Sequence, residues 1–230
     1  ATETVDHLEE LVSDPSVTCH TAVEHGIPHE AIQSYVAEHN IDLVSMGTHG
    51  RTGLDRLLLG SVTERVVRTS DVPVLTTRHE PDDRSSYDRI LIPTDGSESA
   101  TAAIDHGIAI AERFDATVHA LSVVDRRLYL AAGEEQKPDL KATMEEDAHE
   151  AVEAIAEAAA EAGVECTTTV RDGIPYRAIL DYAEESDVDL IVMGTHGRSG
   201  RDKLANLGSV TERVVENTDV PILVVRMDSE

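Results

Sequence analysis

Downstream of residue 87, apolar residues alternate between short unbroken runs and longer stretches at helical spacing. Arg89-Ile-Leu-Ile-Pro93 is a short apolar run closed by Pro and the turn-forming Asp95-Gly96, which predicts a buried strand. Residues 98 to 113 then carry Ala102, Ala103, Ile104, Ile108 and Ala111 at helical spacing, with Ser97 or Ser99 as N-cap. Thr117 to Val124 predicts the next strand, and Lys141 to Ala162, rich in Ala and Glu, a long helix stopped by Gly163. Val164 to Val170 is strand-like again, Pro175 sits where the first turn of a helix tolerates it, and Asp189 to Met193 is a fully apolar strand. Ser209 to Glu216 predicts a helix and Val220 to Arg226 a closing strand. An order βαβαβαβαβ requires an α/β fold: a parallel five-stranded sheet with helices on both faces, joined by right-handed crossovers.

The same pattern occurs earlier in the chain, at a shift of 147 residues. Val44-Ser-Met-Gly-Thr-His-Gly-Arg-Thr-Gly53 recurs as Ile191-Val-Met-Gly-Thr-His-Gly-Arg-Ser-Gly200. Gly60-Ser-Val-Thr-Glu-Arg-Val-Val67 recurs as Gly208 to Val215, and Asp71-Val-Pro-Val-Leu75 as Asp219 to Leu223, after one inserted residue in the second copy. Ala1 corresponds to Ala148, so nothing in this chain matches residues 87 to 147, and copy one is partial. The expected organisation is a partial repeat over 1–79, a polar linker over 80–86 and a complete repeat over 87–230. In copy one the run Val17 to Val23 would lose both sheet neighbours, so it is expected to be loosely held or complemented by another chain. The two last strands, Val72 to Thr77 and Val220 to Val225, are apolar edges that need cover.

Candidate chemistry concentrates in one duplicated turn. Gly47-Thr-His-Gly50, nine residues and Gly60-Ser61 stand in copy one; Gly194-Thr-His-Gly197, ten residues and Gly208-Ser209 stand in copy two. Glycines let main-chain amides approach a ligand closely, and the turn opens onto a helix N-terminus that favours an anion. Arg198, Arg201 and Lys203 against Asp202, and Arg51 and Arg56 against Asp55, agree with a phosphate guest. A purely structural role stays open: Ser61-Val-Thr-Glu64 and Ser209-Val-Thr-Glu212 also fit a capping box. His49 and His196 either bind phosphate or stabilise the turn, and no Cys or carboxylate stands at zinc-ligand spacing from them. P-loop, Rossmann and nucleophile-elbow motifs are absent.

Composition narrows the partners. At 40% hydrophobic, the chain can bury a core. No apolar run approaches the roughly 20 residues of a membrane span. Ala1-Thr2-Glu3-Thr4 lacks the basic and apolar regions of a secretory signal, so the expected location is the cytoplasm. A net charge of −26, from 45 acidic and 19 basic side chains, would repel nucleic acid and fits a protein kept soluble in high salt. A halophilic host and an acidic mesophilic one are both compatible with it. Cys19 and Cys166 occupy matching places in the repeat and are expected to be buried, reduced and structural.

The Gly-x-x-Gly, nine residues, Gly-Ser pattern after a strand ending in Met-Gly, together with Ile90-Leu-Ile-Pro-Thr-Asp-Gly-Ser97, resembles the ATP-binding branch of the universal stress protein family over essentially the whole chain. The resemblance implies strand order 3-2-1-4-5 and an adenine nucleotide over the carboxyl ends of strands one and four, where the order reverses. It implies that Pro93, Thr94 and Asp95 contact the adenosine, with the Asp95 carboxylate near the ribose and Val123 against the adenine. Met193 and Gly194 would continue the cradle. His196, Gly197, Gly208, Ser209, Val210 and Thr211 would surround the phosphates, with Mg²⁺ or Mn²⁺ bridging them and Arg198 as a further partner. Gly47, Gly50, Gly60 and Ser61 are the copy-one counterparts, without an equivalent of Asp95 or Val123 in this chain. The alternative for Asp95 is an ordinary turn residue before Gly96, and the ten-residue spacing of copy two departs from the family's nine. The resemblance also implies antiparallel pairing of the two last strands, within the chain or between two chains. Three functions stay open: a nucleotide-dependent stress-response module, a slow ATP hydrolase or autophosphorylating protein using Ser209 or Thr211, and a scaffold binding no nucleotide.

Overall fold

A computed structural model describes residues 16–48, 59–78, 86–195 and 207–226, and the elements below are numbered over those residues. The chain divides into two compact units, residues 1–40 and 41–230, so compact units and sequence repeats part the chain at different places.

In the first unit, helix α1 (Pro28–His39) starts on Pro28 and ends on Asn40 in the left-handed conformation, φ 50°. Residues 17–23 form no strand, and Val17 and Val23 are 54% and 46% exposed. A lone extended segment leaves its backbone groups unpaired by any ladder and buries no face, which outweighs the β-propensity of its residues. For the same reason Cys19 is exposed, contrary to the burial expected from its position in the repeat. Its counterpart Cys166 lies within the sheet, is half-buried, and has its thiol pushed up by burial. Alkylation near neutral pH should therefore modify Cys19 well before Cys166, since the thiolate is the reacting form. Peptide mass spectrometry during a timed reaction checks the order; equal rates would contradict it.

The second unit holds β1 (Val44–Gly47), α2 (Ser61–Thr69), β2 (Val74–Thr77), β3 (Arg89–Thr94), α3 (Glu98–Phe114), β4 (Thr117–Asp125), α4 (Arg126–Leu130), α5 (Lys137–Glu161), β5 (Cys166–Gly173), α6 (Pro175–Glu185), β6 (Leu190–Gly194), α7 (Ser209–Asn217) and β7 (Ile222–Val225). These strands form one sheet in the order β1-β2-β7-β6-β3-β4-β5. Copy two thus has the order 3-2-1-4-5, all parallel, and copy one extends it to seven strands. The joint is antiparallel, Val74↔Val224, Leu75↔Leu223 and Thr76↔Ile222, and covers two apolar edges that would otherwise be open to aggregation.

Alternation along the central strands supplies both layers. Ile90, Ile92, Val118, Ala120, Leu190 and Val192 face one core with Ile108 and Ala111 of α3 and Val152, Ile155 and Ala159 of α5. Leu91, Leu121 and Ile191 point the other way and are fully buried. Each such side chain contributes roughly 1.5–3 kcal/mol by leaving water. Local signals fix the ends. Ser97 Oγ accepts from the Ala100 amide at 3.3 Å, making Ser97 the N-cap of α3. Gly163, φ 72°, closes α5: its amide donates to Ala160 O and the Val164 amide to Ala159 O, at 3.1 and 2.8 Å. That helix begins at Lys137, earlier than the periodicity predicts, because Pro138 serves its first turn.

Candidate functional site

Strand order reverses between β3 and β6. The chain leaves β3 through α3 toward one face and leaves β6 through α7 toward the other, so a crevice opens at their carboxyl ends. On the β3 wall, Pro93 and Thr94 are buried and Asp95 is half-buried. Thr94 Oγ1 accepts from the Gly96 amide at 3.0 Å and Asp95 Oδ1 from the Ser97 amide at 3.1 Å. Gly96 supplies φ 73°, a conformation that a side chain would strain. Asp95 is therefore a turn-forming residue, with one carboxylate oxygen bound to the backbone. On β4 next door, Ser122 pairs in register with Thr94, and half-buried Val123 is the following residue.

On the β6 wall, Met193 is 5% exposed and packs as a core residue. Gly194 has a specific reason to lack a side chain: a Cβ there would stand 2.2 Å from Ser99 O and 2.8 Å from Ser99 C. The first turn of α3 thus lies directly on the end of β6, which brings the Asp95 turn beside the start of the glycine segment. The Thr195 amide donates to Val225 O at 3.0 Å, and Thr195 O accepts from the Gly208 amide at 2.7 Å, closing the stem of the segment. Thr211 Oγ1 then donates to Gly194 O at 2.8 Å, so this buried hydroxyl ties α7 to the strand end.

Gly208 is the N-cap of α7, with no side-chain cap hydrogen bond, and exposed Ser209 is the first helical residue. The capping box expected from Ser209 and Glu212 does not form, because Gly208 occupies the cap position and Ser209 falls one residue inside the helix. Copy one behaves alike: Gly60 caps α2 and exposed Ser61 follows it. Without a capping side chain, the first amides of α7 stay oriented toward the crevice end of the helix, where the macrodipole is positive.

Copy one repeats the frame bond for bond. The Gly60 amide donates to Thr48 O at 2.8 Å, Thr63 Oγ1 to Gly47 O at 2.9 Å, and the Thr48 amide to Thr77 O at 2.9 Å. Both stems match, and in the sequence the extra residue of copy two falls between Thr195 and Gly208. Gly47 itself is exposed: among the described residues, β1 is the end strand of the sheet and carries no neighbour corresponding to β3. His196, Gly197, Arg198 and Gly50 lie outside the described residues.

Sequence reasoning missed a basic group on the same edge. Arg213 and Arg177 stand 5.0 and 5.7 Å from the Tyr176 ring centroid, and Arg177 Nε donates to the Tyr176 hydroxyl at 2.9 Å. These guanidiniums, the Arg177 hydrogen bond foremost, hold the Tyr176 phenol below its usual value. Arg213 lies one turn beyond Ser209 on the same side of α7; that spacing is the signal available in the sequence. At the β4 end, Arg127 pairs with Asp125 through a 2.6 Å Nη2–Oδ2 contact.

Among the described residues, no group of three His, Cys, Asp or Glu side chains could hold a metal ion. No described helix is long and apolar enough to cross a membrane. In the first unit, a notch between residues 24 and 38 is lined by Glu24, Glu30 and Glu38, the wrong charge for phosphate.

Comparison with known proteins agrees with this architecture. The chain is 40% identical over 141 residues to the universal stress protein MJ0531 of Methanocaldococcus jannaschii, covering 61% of this chain and 82% of that one. The solved structure of MJ0577 from the same organism is 35% identical, with TM-score 0.56, and covers 63% of this chain and 99% of that one. A universal stress protein structure from Archaeoglobus fulgidus shares the fold at 24% identity, TM-score 0.69, over 98% of this chain and 76% of that one. Residues 1–78 and 86–226 match the universal stress protein family, and the chain belongs to it.

Proposed function

We propose that copy two binds an adenine nucleotide, ATP with Mg²⁺ or Mn²⁺ on its phosphates, and that the protein is a cytoplasmic, nucleotide-dependent stress-response module. One observation carries the reading: strand order reverses between β3, which ends in the Thr94-Asp95 turn, and β6, whose following segment leads to a helix start, on Gly208, with no side-chain cap. In this reading the amides of Ser209 and Val210 hold phosphate, His196, Gly197 and Arg198 are further phosphate partners, and Asp95 and Val123 contact the adenosine. Met193 and the Thr211 hydroxyl support the cradle from within. Copy one keeps the Gly47 and Gly60 frame without an adenosine wall, so this chain should hold one nucleotide rather than two.

The nucleotide acts here as a bound signal. Of the two hydroxyls at the start of α7 that an autophosphorylating protein would use, that of Thr211 already donates to Gly194 O. Mass spectrometry of material released from protein purified without added nucleotide tests the reading: adenine nucleotide near one per chain is expected, and a clean apoprotein that also fails to take up ATP would refute it. ADP release well above background would instead favour the hydrolase. The acidic surface is read as adaptation to high salt, where stability should rise between low and molar salt.

A further inference from the structure

Across the β2–β7 joint the two copies are related by a pseudo-twofold axis. Leu75 faces Leu223, its own counterpart, and Val74↔Val224 is mirrored by Thr76↔Ile222. A twofold interface makes each contact twice with roles exchanged. The ion pairs at its ends obey this rule: Arg78–Asp219 at 3.9 Å is mirrored by Arg226–Asp71 at 3.7 Å.

Between α2 and α7 the rule breaks. Arg68 Nη2 lies 2.6 Å from Glu212 and 2.9 Å from Glu64. The counterpart of Arg68 in copy two is Glu216, so the mirrored contact sets Glu216 toward Glu64, carboxylate toward carboxylate. Burial first, then Glu212 and Glu64, push the Glu216 carboxyl above its usual value, against the opposing influence of Arg213 and Arg68.

We propose that Arg68 and Glu216 are the residues that decide which surface the β7 edge accepts, admitting copy one and refusing a second copy-two edge. Copy one against copy two has one Arg–Glu end and one Glu–Glu end. Copy two against itself would set Glu216 against Glu212 at both ends, with no Arg68 to relieve either. Like charges placed opposite each other suppress wrong partners more effectively than attractive pairs strengthen right ones. Arg68 and Glu212 are mostly buried side chains, 22% and 33% exposed, so salt screens them less than rim charges.

Charge reversal in the full chain tests this. Arg68→Glu leaves carboxylates at both ends and should lower the melting temperature by about 2–4 °C, while Glu216→Arg should raise it by a similar amount. The double variant Arg68→Glu/Glu216→Arg only exchanges the two ends of the pseudo-twofold, so it should return to within about 1 °C of the original. These differences should shrink in molar salt, which a packing defect would not do. By sedimentation, Arg68→Glu should form no dimer that the original chain does not form, because the weakened joint exposes an edge that still repels its like. A double variant as unstable as Arg68→Glu, a Glu216→Arg variant no more stable than the original, or dimers of Arg68→Glu that the original chain does not form would overturn the proposal.

Discussion

Ser209→Pro should weaken nucleotide binding by roughly 10- to 150-fold and leave the fold intact. The range follows from losing one hydrogen bond to a charged group, about 1.5–3 kcal/mol, at about 1.4 kcal/mol per decade. Proline is the right probe because Ser209 is the first residue of α7, where helices tolerate it: the N–H has no intrahelical partner there. Gly208, at φ −60° and ψ 141°, already has the extended conformation that a following proline demands. The substitution therefore deletes an amide without breaking the helix. Ser209→Ala keeps the amide and removes only the hydroxyl, so it should cost several-fold less affinity. Calorimetric titration of both variants separates main-chain from side-chain recognition. Equal affinities in Ser209→Pro and the unsubstituted protein would remove α7 from the site.

Gly194→Ala should be strongly destabilising for a change of one methyl group. Its Cβ would meet Ser99 O at 2.2 Å, and that partner is backbone, so no side-chain rotation relieves the clash. Overpacking of this kind costs about 3 kcal/mol at the upper end of the usual range, a fall in melting temperature of roughly 6–12 °C. Binding should fall as well, because α3 must move and carries the Asp95 turn with it. Gly107→Ala is the instructive contrast. Its Cβ would come within 2.5 Å of Ile92 Cδ1, the terminal methyl of a side chain that can adjust, and alanine regains about 1 kcal/mol of helix propensity. Thermal unfolding of the pair should show a large loss at 194 and a small change at 107; similar losses would mean that the α3 turn does not rest on β6.

Fold class was legible because strand and helix periods alternate so regularly through copy two. Even the end of α5 followed from one residue, Gly163. Strand order was not written in those periods; it came from the likeness of the repeated motif to a known family. The expectation that Val17 to Val23 would be loosely held agrees with its forming no strand, but the burial expected of Cys19 does not follow, since without a sheet to join that segment is exposed. What differed did so where an outcome depended on distant neighbours. Arg126–Leu130 is too short a helix to show a period. At Ser209 the capping motif was shifted by one residue, a difference that φ and ψ of Gly208 reveal and residue types alone do not. Gly194 stands out in the sequence as part of the glycine turn, but the Ser99 carbonyl that leaves no space for a side chain there is nearly a hundred residues away and no local pattern shows it. Tyr176 and Arg213 meet only because α6 and α7 pack on one face, so no local pattern could join them.

The most direct measurement is a calorimetric titration of the nucleotide-free chain with ATP and Mg²⁺, paired with a thermal melt. One ATP per chain, with a melting temperature that climbs as ligand is added, is the predicted result. Absence of both heat and stabilisation would leave the crevice between β3 and β6 without its proposed occupant.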